Sequence, residues 1–256
     1  MTEKMDSEGA LPRGVLQAWG QDKAQTRPGP KAMLSITGIA ASAIALADAE
    51  GAEALSLGRI AQRLGVSANA LYRYVDSRDD LDVIVHDQAL SAPVGIGPGE
   101  DWAAAAAVWC RALRGRYQRH PWLSDMRIRV PFAPNALAWL DNLLDRLEPS
   151  GLSERQSLHA AGLLDGYVRS RAGAERDIAQ QGGGTDPEAL VAHIGAERFS
   201  ARLPRVADMI MDGLYRQAAA GADEEFEFGL ECILTGLRGL ARDAADHQSP
   251  ADHQSP

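Results

Sequence analysis

SLGRIAQRLGVSANALYRYV, residues 56–75, is the stretch that decides the fold. Leu57, Ile60, Ala61 and Leu64 recur at helical spacing and give its first half one apolar face. Ser56 stands where a hydroxyl accepts an orphaned N–H at a helix start. Gly65 follows the last turn, where a left-handed residue ends a helix and glycine adopts that conformation without a Cβ clash. Val66 is then a buried hinge contact, Ser67 the cap of a second helix, and residues 68–75 that helix. Two short helices on a glycine turn are either a helix-turn-helix or an ordinary αα-corner, and spacing alone leaves both open.

The 256-residue chain is long enough for one large domain or two smaller ones. Its 45% hydrophobic and 24% charged residues are ordinary for a globular protein. No run of about 18 apolar residues occurs, so no membrane-spanning helix is expected. With no basic-then-apolar leader, a cytoplasmic location is expected. Cys110 and Cys232 lie inside helical patterns and are expected to be buried thiols in a reducing compartment. No Cys-x-x-Cys or paired Cys/His spacing supports zinc, and neither metal nor cofactor is expected. A net charge of −9 argues against a protein that coats nucleic acid all over. It leaves room for a local basic face, because Lys31, Arg59, Arg63, Arg73 and Arg78 lie in or beside the quoted stretch.

Working outward, residues 1–30 hold Gly9, Pro12, Gly14, Gly20, Pro28, Gly29 and Pro30 and are expected to be a flexible extension. Residues 35–49 carry Ile36, Ile39, Ala40, Ala43, Ile44 and Ala47 on one helical stripe, stopped by Gly51. Ser77 caps a further helix with Asp79 and Asp80 in its first turn, where negative charge suits the macrodipole. Leu81, Ile84, Val85 and Ala89 form its inner face. PVGIGPG, residues 93–99, is a break, so residues 31–92 form a compact head. Beyond it, periodicity predicts helices over 101–120, 135–148, 153–180, 187–196, 203–219 and 223–243, with a glycine break at 181–184. Residues 99–243 make a larger helical domain, and 244–256, ending in a tandem ADHQSP repeat, a disordered tail. No strand pattern competes anywhere, so the fold class is all-α.

With these elements placed, the head resembles the tetracycline-repressor (TetR) family of bacterial transcriptional regulators. The likeness is carried by Ala47-Asp48-Ala49-Glu50-Gly51, Ala54-Leu55-Ser56-Leu57, Leu64-Gly65-Val66-Ser67, Leu71-Tyr72-Arg73-Tyr74-Val75 and Ser77-Arg78-Asp79-Asp80-Leu81. More weakly, HPWL at 120–123, PNAL at 134–137 and FEFGL at 226–230 resemble that family's C-terminal domain. The resemblance implies DNA binding. It implies that Ser56 and Tyr72 contact phosphates and that Arg78, where members usually have lysine, neutralises another. Arg73 and Tyr74 then fall at outward positions that touch DNA. Ser67, Ala68, Asn69 and Ala70 form the leading end, where base edges are read. Asn69 is the best direct reader, because its amide can bond adenine N6 and N7 together. Gly58 departs from the family, many of whose members carry a base-contacting arginine there, so that contact is lost or passes to Arg59. Val75 replaces a frequent phenylalanine.

One reading helix in one groove specifies poorly, so two heads about 34–36 Å apart are expected. The family achieves this as a homodimer through a two-fold four-helix interface. Gly162, Gly166 and Ser170 make a small-residue stripe on one helix, and Leu230, Ile233 and Leu237 an apolar one on the last. These form the expected dimer interface, with intrachain packing as the alternative. Trp109, Tyr117, Met126, Trp139 and Tyr167, with Trp122 and Phe132, are candidates to line an effector cavity, and His159 and Asp165 to orient a polar ligand. An aromatic stripe at helical spacing also makes ordinary core. No nucleophile elbow, phosphate loop or metal cluster marks an enzyme. The expected function is a homodimeric regulator, a repressor released from operator DNA by a small-molecule effector. The rival is a dimeric helical scaffold or coactivator that keeps the fold without binding DNA.

Overall fold

The computed structural model describes residues 13–21, 34–93, 101–127, 132–180, 186–214 and 221–248, with side chains to 243. Among them all regular structure is helical, as the patterning predicts. The chain divides into two compact units, Met1–Glu148 and Pro149–Pro256.

The first unit contains α1 (Arg13–Ala18), α2 (Ile36–Glu50), α3 (Leu57–Leu64), α4 (Ala68–Leu71), α5 (Arg78–Leu90), α6 (Trp102–Arg119) and α7 (Pro134–Leu147). Short 3-10 turns occupy Ala52–Ala54 and Pro121–Asp125. α2 begins at Ser35, whose Oγ accepts the Gly38 N–H at 3.0 Å, and stops at Gly51, held at φ 84°. Ile36, Ile39, Ala40, Ala43 and Ala47 are buried as expected, while Leu46 rather than Ile44 completes the face. α5 packs against α2 and buries Leu81, Ile84, Val85 and Ala89. Each such side chain stabilises the fold by roughly 1.5–3 kcal/mol relative to exposure, and α3 packs on the same helix α2.

Three expectations in this unit are corrected. Part of the extension expected to be flexible is ordered: α1 packs on α5 with Val15 fully buried. The second helix of the quoted stretch is regular only over Ala68–Leu71, and residues 72–74 form a turn. Ser67 occupies the cap position, yet its side chain makes no capping hydrogen bond. The Pro/Gly run at 94–99 lies outside the described residues, and compactness divides the chain later because α7 packs on α5.

The second unit holds α8 (Glu154–Gln180), α9 (Pro187–Ile194), α10 (Ala196–Arg202), α11 (Pro204–Met211) and α12 (Ala222–Gln248). α8 opens with the capping pair read in the sequence: Ser153 Oγ donates to Gln156 Oε1 at 2.8 Å, and Gln156 N–H returns to Ser153 Oγ at 3.4 Å. α8 packs on α12, with Leu164 and Val168 buried on one and Phe226, Leu230, Leu234 and Leu237 on the other. Tyr167 Oη donates to the Phe226 carbonyl at 2.7 Å. A Cβ at Gly229 would sit 2.3 Å from that hydroxyl, so the close approach requires glycine. A smaller cluster of Val191, Phe199, Ala207 and Ile210 joins α9, α10 and α11. The helix expected at 187–196 is interrupted at Gly195, held at φ 94°. The backbone of α12 continues to Gln248, so the first five residues expected in a disordered tail are helical. Cys110 is buried as expected, but Cys232 is exposed on α12.

Candidate nucleic-acid interface

Ser56 caps α3 by accepting the Arg59 N–H at 3.2 Å. Buried Ile60 and Ala61 seat the helix. Gly65 turns left-handed at φ 67° and ψ 30°, and its N–H and that of Val66 return to the carbonyls of Gln62 and Ala61 at 3.2 and 3.0 Å. That closure fixes where α4 starts. Leu71 and Val75 are fully buried and anchor the inner side of the reading turn expected from the sequence, residues 68–75, and Val66 is half-buried. Ser67, Ala68, Asn69 and Arg73 are exposed, Tyr72 is 52% exposed, and Ala70 and Tyr74 are half-buried. Of the residues expected to touch DNA, Ser67, Ala68, Asn69, Tyr72 and Arg73 are thus open to solvent, as is Ser56 at the start of α3.

Two arginines near this surface differ in kind. Arg59 makes a forked pair with Glu50 at 2.6 and 2.7 Å. Both partners are nearly half exposed, so the pair contributes at most about 1 kcal/mol and exchanges readily for a phosphate. Arg78, expected at a phosphate, has its guanidinium engaged by protein acceptors while its side chain stays half-exposed. Its Nε donates to Asp82 Oδ1 at 2.6 Å, and its two terminal nitrogens donate to the carbonyls of Leu55 and Ala52. It clamps the turn that feeds α3 onto α5. A guanidinium suits bent backbone carbonyls as well as it suits phosphate, and here the carbonyls are already in place.

Two carboxylates tie α2 and α5 to α6 and α7. Asp48 Oδ1 lies 2.7 Å from His120 Nδ1 and accepts the Trp122 indole N–H at 2.7 Å. Asp87, buried on α5, accepts the backbone N–H groups of Asn135 and Ala136 at 2.8 and 3.3 Å. Burial pushes the Asp87 carboxyl above its ordinary value, against the lowering effect of these donors. A cleft of about 320 Å³ opens beside it, lined by Gln17, Thr37, Asp87, Gln88, Ser91 and Asn135 among others.

The residues expected to line an effector cavity are not among those around this cleft. Trp109, Tyr117, Met126 and Trp139 are buried in the first unit. Trp109 and Trp139 pack edge to face at 5.5 Å, and their indole N–H groups donate to the carbonyls of Trp139 and Ser91 at 3.0 and 2.7 Å. In the second unit His159 is exposed, and Tyr167 is engaged with α12. Burial raises the Asp165 carboxyl, opposed by Arg169.

The expected interface stripe on α12 is also revised. Leu230 and Leu237 are buried within the chain and Ile233 is half-buried, because one apolar face of α12 belongs to α8. The open face carries Phe228, Gly236, Gly239 and Leu240, while Gly162, Gly166 and Ser170 are exposed on α8. Sequence reasoning missed Arg13 and Gln17, which reach the reading turn from α1. Nothing in their local spacing signals it. Among the described residues, no group of His, Cys, Asp and Glu could hold a metal ion, and no helix is long and apolar enough to cross a membrane.

With this geometry in hand, comparison with known proteins is specific. The family described as bacterial regulatory proteins, tetR family, matches residues 39–81, and the one described as tetracyclin repressor-like, C-terminal domain, matches residues 97–240. The chain is 30% identical over 253 residues to the HTH-type transcriptional repressor DrrR1 of Streptomyces coeruleorubidus, covering 94% of this chain and 91% of that one. Apo ActR from Streptomyces coelicolor superposes with a TM-score of 0.69 at 29% identity, covering 84% of this chain and 100% of that one. ActR in complex with actinorhodin gives a TM-score of 0.66 at 27% identity, covering 83% of this chain and 99% of that one.

Proposed function

Because the chain belongs to the tetR family of bacterial regulatory proteins and is thereby a DNA-binding transcriptional regulator, we propose that it is a homodimeric repressor released from its operator by a small-molecule effector. The observation that carries the DNA reading is the open surface of the reading turn, where Asn69, Tyr72 and Arg73 stand clear while Leu71 and Val75 hold the inside. Residues 31–92 are the DNA-binding part and 99–243 the effector and dimerisation part. Asn69 reads a base edge, with Ala68 and Ala70 permitting close approach. Ser56, Tyr72, Arg73 and Arg59 hold phosphates, with Ser67 and Tyr74 at the margin. Arg78 serves by keeping the turn before α3 in place. A second copy docks on the faces of α8 and α12 that carry Gly162, Gly166, Ser170 and Gly236, with half-buried Ile233 at their edge.

An effector is supported by the relative solved with actinorhodin. Trp109, Tyr117, Met126 and Trp139 are the apolar wall that a ligand in this domain would have to open. A ligand that shifted α7 would pull on α5 through Asn135 and Asp87, changing how the heads fit DNA.

The test is fluorescence anisotropy on duplex DNA from upstream of the chain's own gene and on random duplex, over a salt series. Specific binding should weaken steeply with salt. Asn69→Ala should cost about 1–3 kcal/mol on the specific duplex only. Arg73→Ala should weaken both and flatten the salt slope by about 0.9. Equal affinity for the two duplexes would favour the scaffold reading.

A further inference from the structure

The reading turn is short of its own stabilisation. The last carbonyls of any helix lack intrahelical partners, and α4 has only one regular turn, so nearly all its carbonyls are terminal. The chain satisfies some locally. Tyr72 N–H donates to the Ala68 carbonyl at 3.3 Å, and the N–H groups of Tyr74 and Val75 both return to Leu71 at 2.8 and 3.0 Å. In the turn that follows, the carbonyls of Arg73 and Tyr74 receive donors from a segment some sixty residues earlier: Arg13 reaches Arg73 at 3.0 Å with one guanidinium nitrogen, and the Gln17 amide donates to Tyr74.

The remaining contacts of α1 hold those donors in place. The other terminal nitrogen of Arg13 pairs with Asp76 Oδ1 at 2.6 Å, just beyond the reading turn. The Gly14 N–H donates to Asp80 Oδ1 at 2.8 Å, while Asp80 Oδ2 accepts Ser77 Oγ at 2.8 Å. A Cβ on Gly14 would lie 2.6 Å from the Asp80 carbonyl oxygen, so only glycine lets α1 come this close. Val15 is fully buried beneath it, and at the far end the Trp19 indole donates to the Phe132 carbonyl at 2.7 Å.

We infer that α1 is a positioning element for DNA reading: Arg13 and Gln17 cap the reading turn from outside and hold its exposed side chains in the register that discriminates sequence. This rests on the operator-binding reading above. Arg13 is a positioning residue, since its guanidinium points at protein carbonyl and carboxylate groups rather than at the open surface. A basic N-terminal arm that simply bound phosphates would behave differently, and the difference is measurable.

The experiment uses the full chain and the duplex that the unmodified protein selects from a random pool, with unselected duplex as reference. Arg13→Ala should lower the ratio of selected to unselected affinity roughly tenfold, the scale of losing one base contact. Affinity for unselected duplex and the salt slope should stay as in the parent. Gly14→Ala, which displaces α1 without changing charge, should give the same pattern, and a thermal melt confirms that both variants are folded. Lysine at position 13 keeps the charge but not the fork, so Arg13→Lys should rescue little of the ratio. A salt slope flattened by about 0.9 in Arg13→Ala, with lower affinity for both duplexes, would make Arg13 a phosphate contact and overturn the inference. An unchanged ratio in both Arg13→Ala and Gly14→Ala would overturn it too. A parent protein that selects no sequence would overturn both this inference and the operator-binding reading.

Discussion

Asp87 and Asn135 grip each other across two helices. One carboxylate oxygen of Asp87 takes the Asn135 backbone N–H at 2.8 Å, and the Asn135 amide donates to the other oxygen and to the Asp87 carbonyl, each at 3.0 Å. Asn135 sits in the first turn of α7, where backbone N–H groups have no intrahelical partner and negative charge is favoured. The side chain of α5 thus completes α7. Any displacement of α7 must either carry α5 with it or expose these donors.

Asp87→Ala should therefore destabilise the fold by roughly 1–3 kcal/mol, the cost of leaving half-buried donors without their acceptor. The pH dependence has a definite sign. Burial raises the Asp87 carboxyl above 3.8, so the folded state binds its proton more readily than the unfolded chain does. Its contribution is fully present below that ordinary value and is lost as pH rises through the raised folded one. Urea midpoints should show the parent losing stability relative to Asp87→Asn over that interval. A difference that stays flat with pH would mean that the carboxylate is not strained by burial.

Arg78 separates structural from DNA-contacting cations. With its guanidinium on Asp82 and the carbonyls of Leu55 and Ala52, Arg78→Ala should cost about 1 kcal/mol of stability, discounted for the half-exposed side chain. The salt slope of DNA binding should not change. A slope smaller by about 0.9 would show that the side chain leaves its carbonyls for a phosphate.

Much of this was legible in the sequence because it is local. Ser56 and Ser77 were readable as caps, and Gly65 as the left-handed stop, since each acts within a turn of its own position. The residues named for DNA contact came from the family resemblance, and the burial of Leu71 and Val75 beside them is what the structure adds. What escaped depends on partners far along the chain. α1 hides in a Gly/Pro-rich stretch and is held by carbonyls about sixty residues away, which no periodicity reports. Arg78 fits phosphate and carbonyl equally by type. On α12, spacing reveals an apolar stripe but not its partner, so Leu230 and Leu237 read as interface when α8 already covers them.

That revision makes the proposed dimer testable on residues that single-chain folding does not need. Phe228 is 73% exposed on α12, and Gly236 has no other group within 4 Å of where a Cβ would lie. Phe228→Asp and Gly236→Arg should yield folded monomers by light scattering, with helical content unchanged. Leu230→Ala should instead lower stability by about 2–5 kcal/mol, as a core truncation does. Monomers from Leu230→Ala alone, with the two surface variants still dimeric, would move the interface elsewhere.

Gly58 offers the sharpest test of how α3 meets DNA. It lies in the first turn of α3, exposed, with no other group within 4 Å of a built Cβ and no positive φ to demand glycine. Gly58→Ala should thus stabilise the head by up to about 1 kcal/mol through helix propensity alone, with DNA affinity unchanged. Gly58→Arg adds the same propensity and a cation one residue before Arg59, on the side of α3 that opens to solvent. If the start of α3 faces the duplex, this variant should bind more tightly than Gly58→Ala at low salt, with a slope steeper by about 0.9. The gain should shrink as salt rises, because it comes from released counterions rather than from base reading. Two variants of equal slope and affinity would place the α3 start away from the backbone, and Ser56 with it.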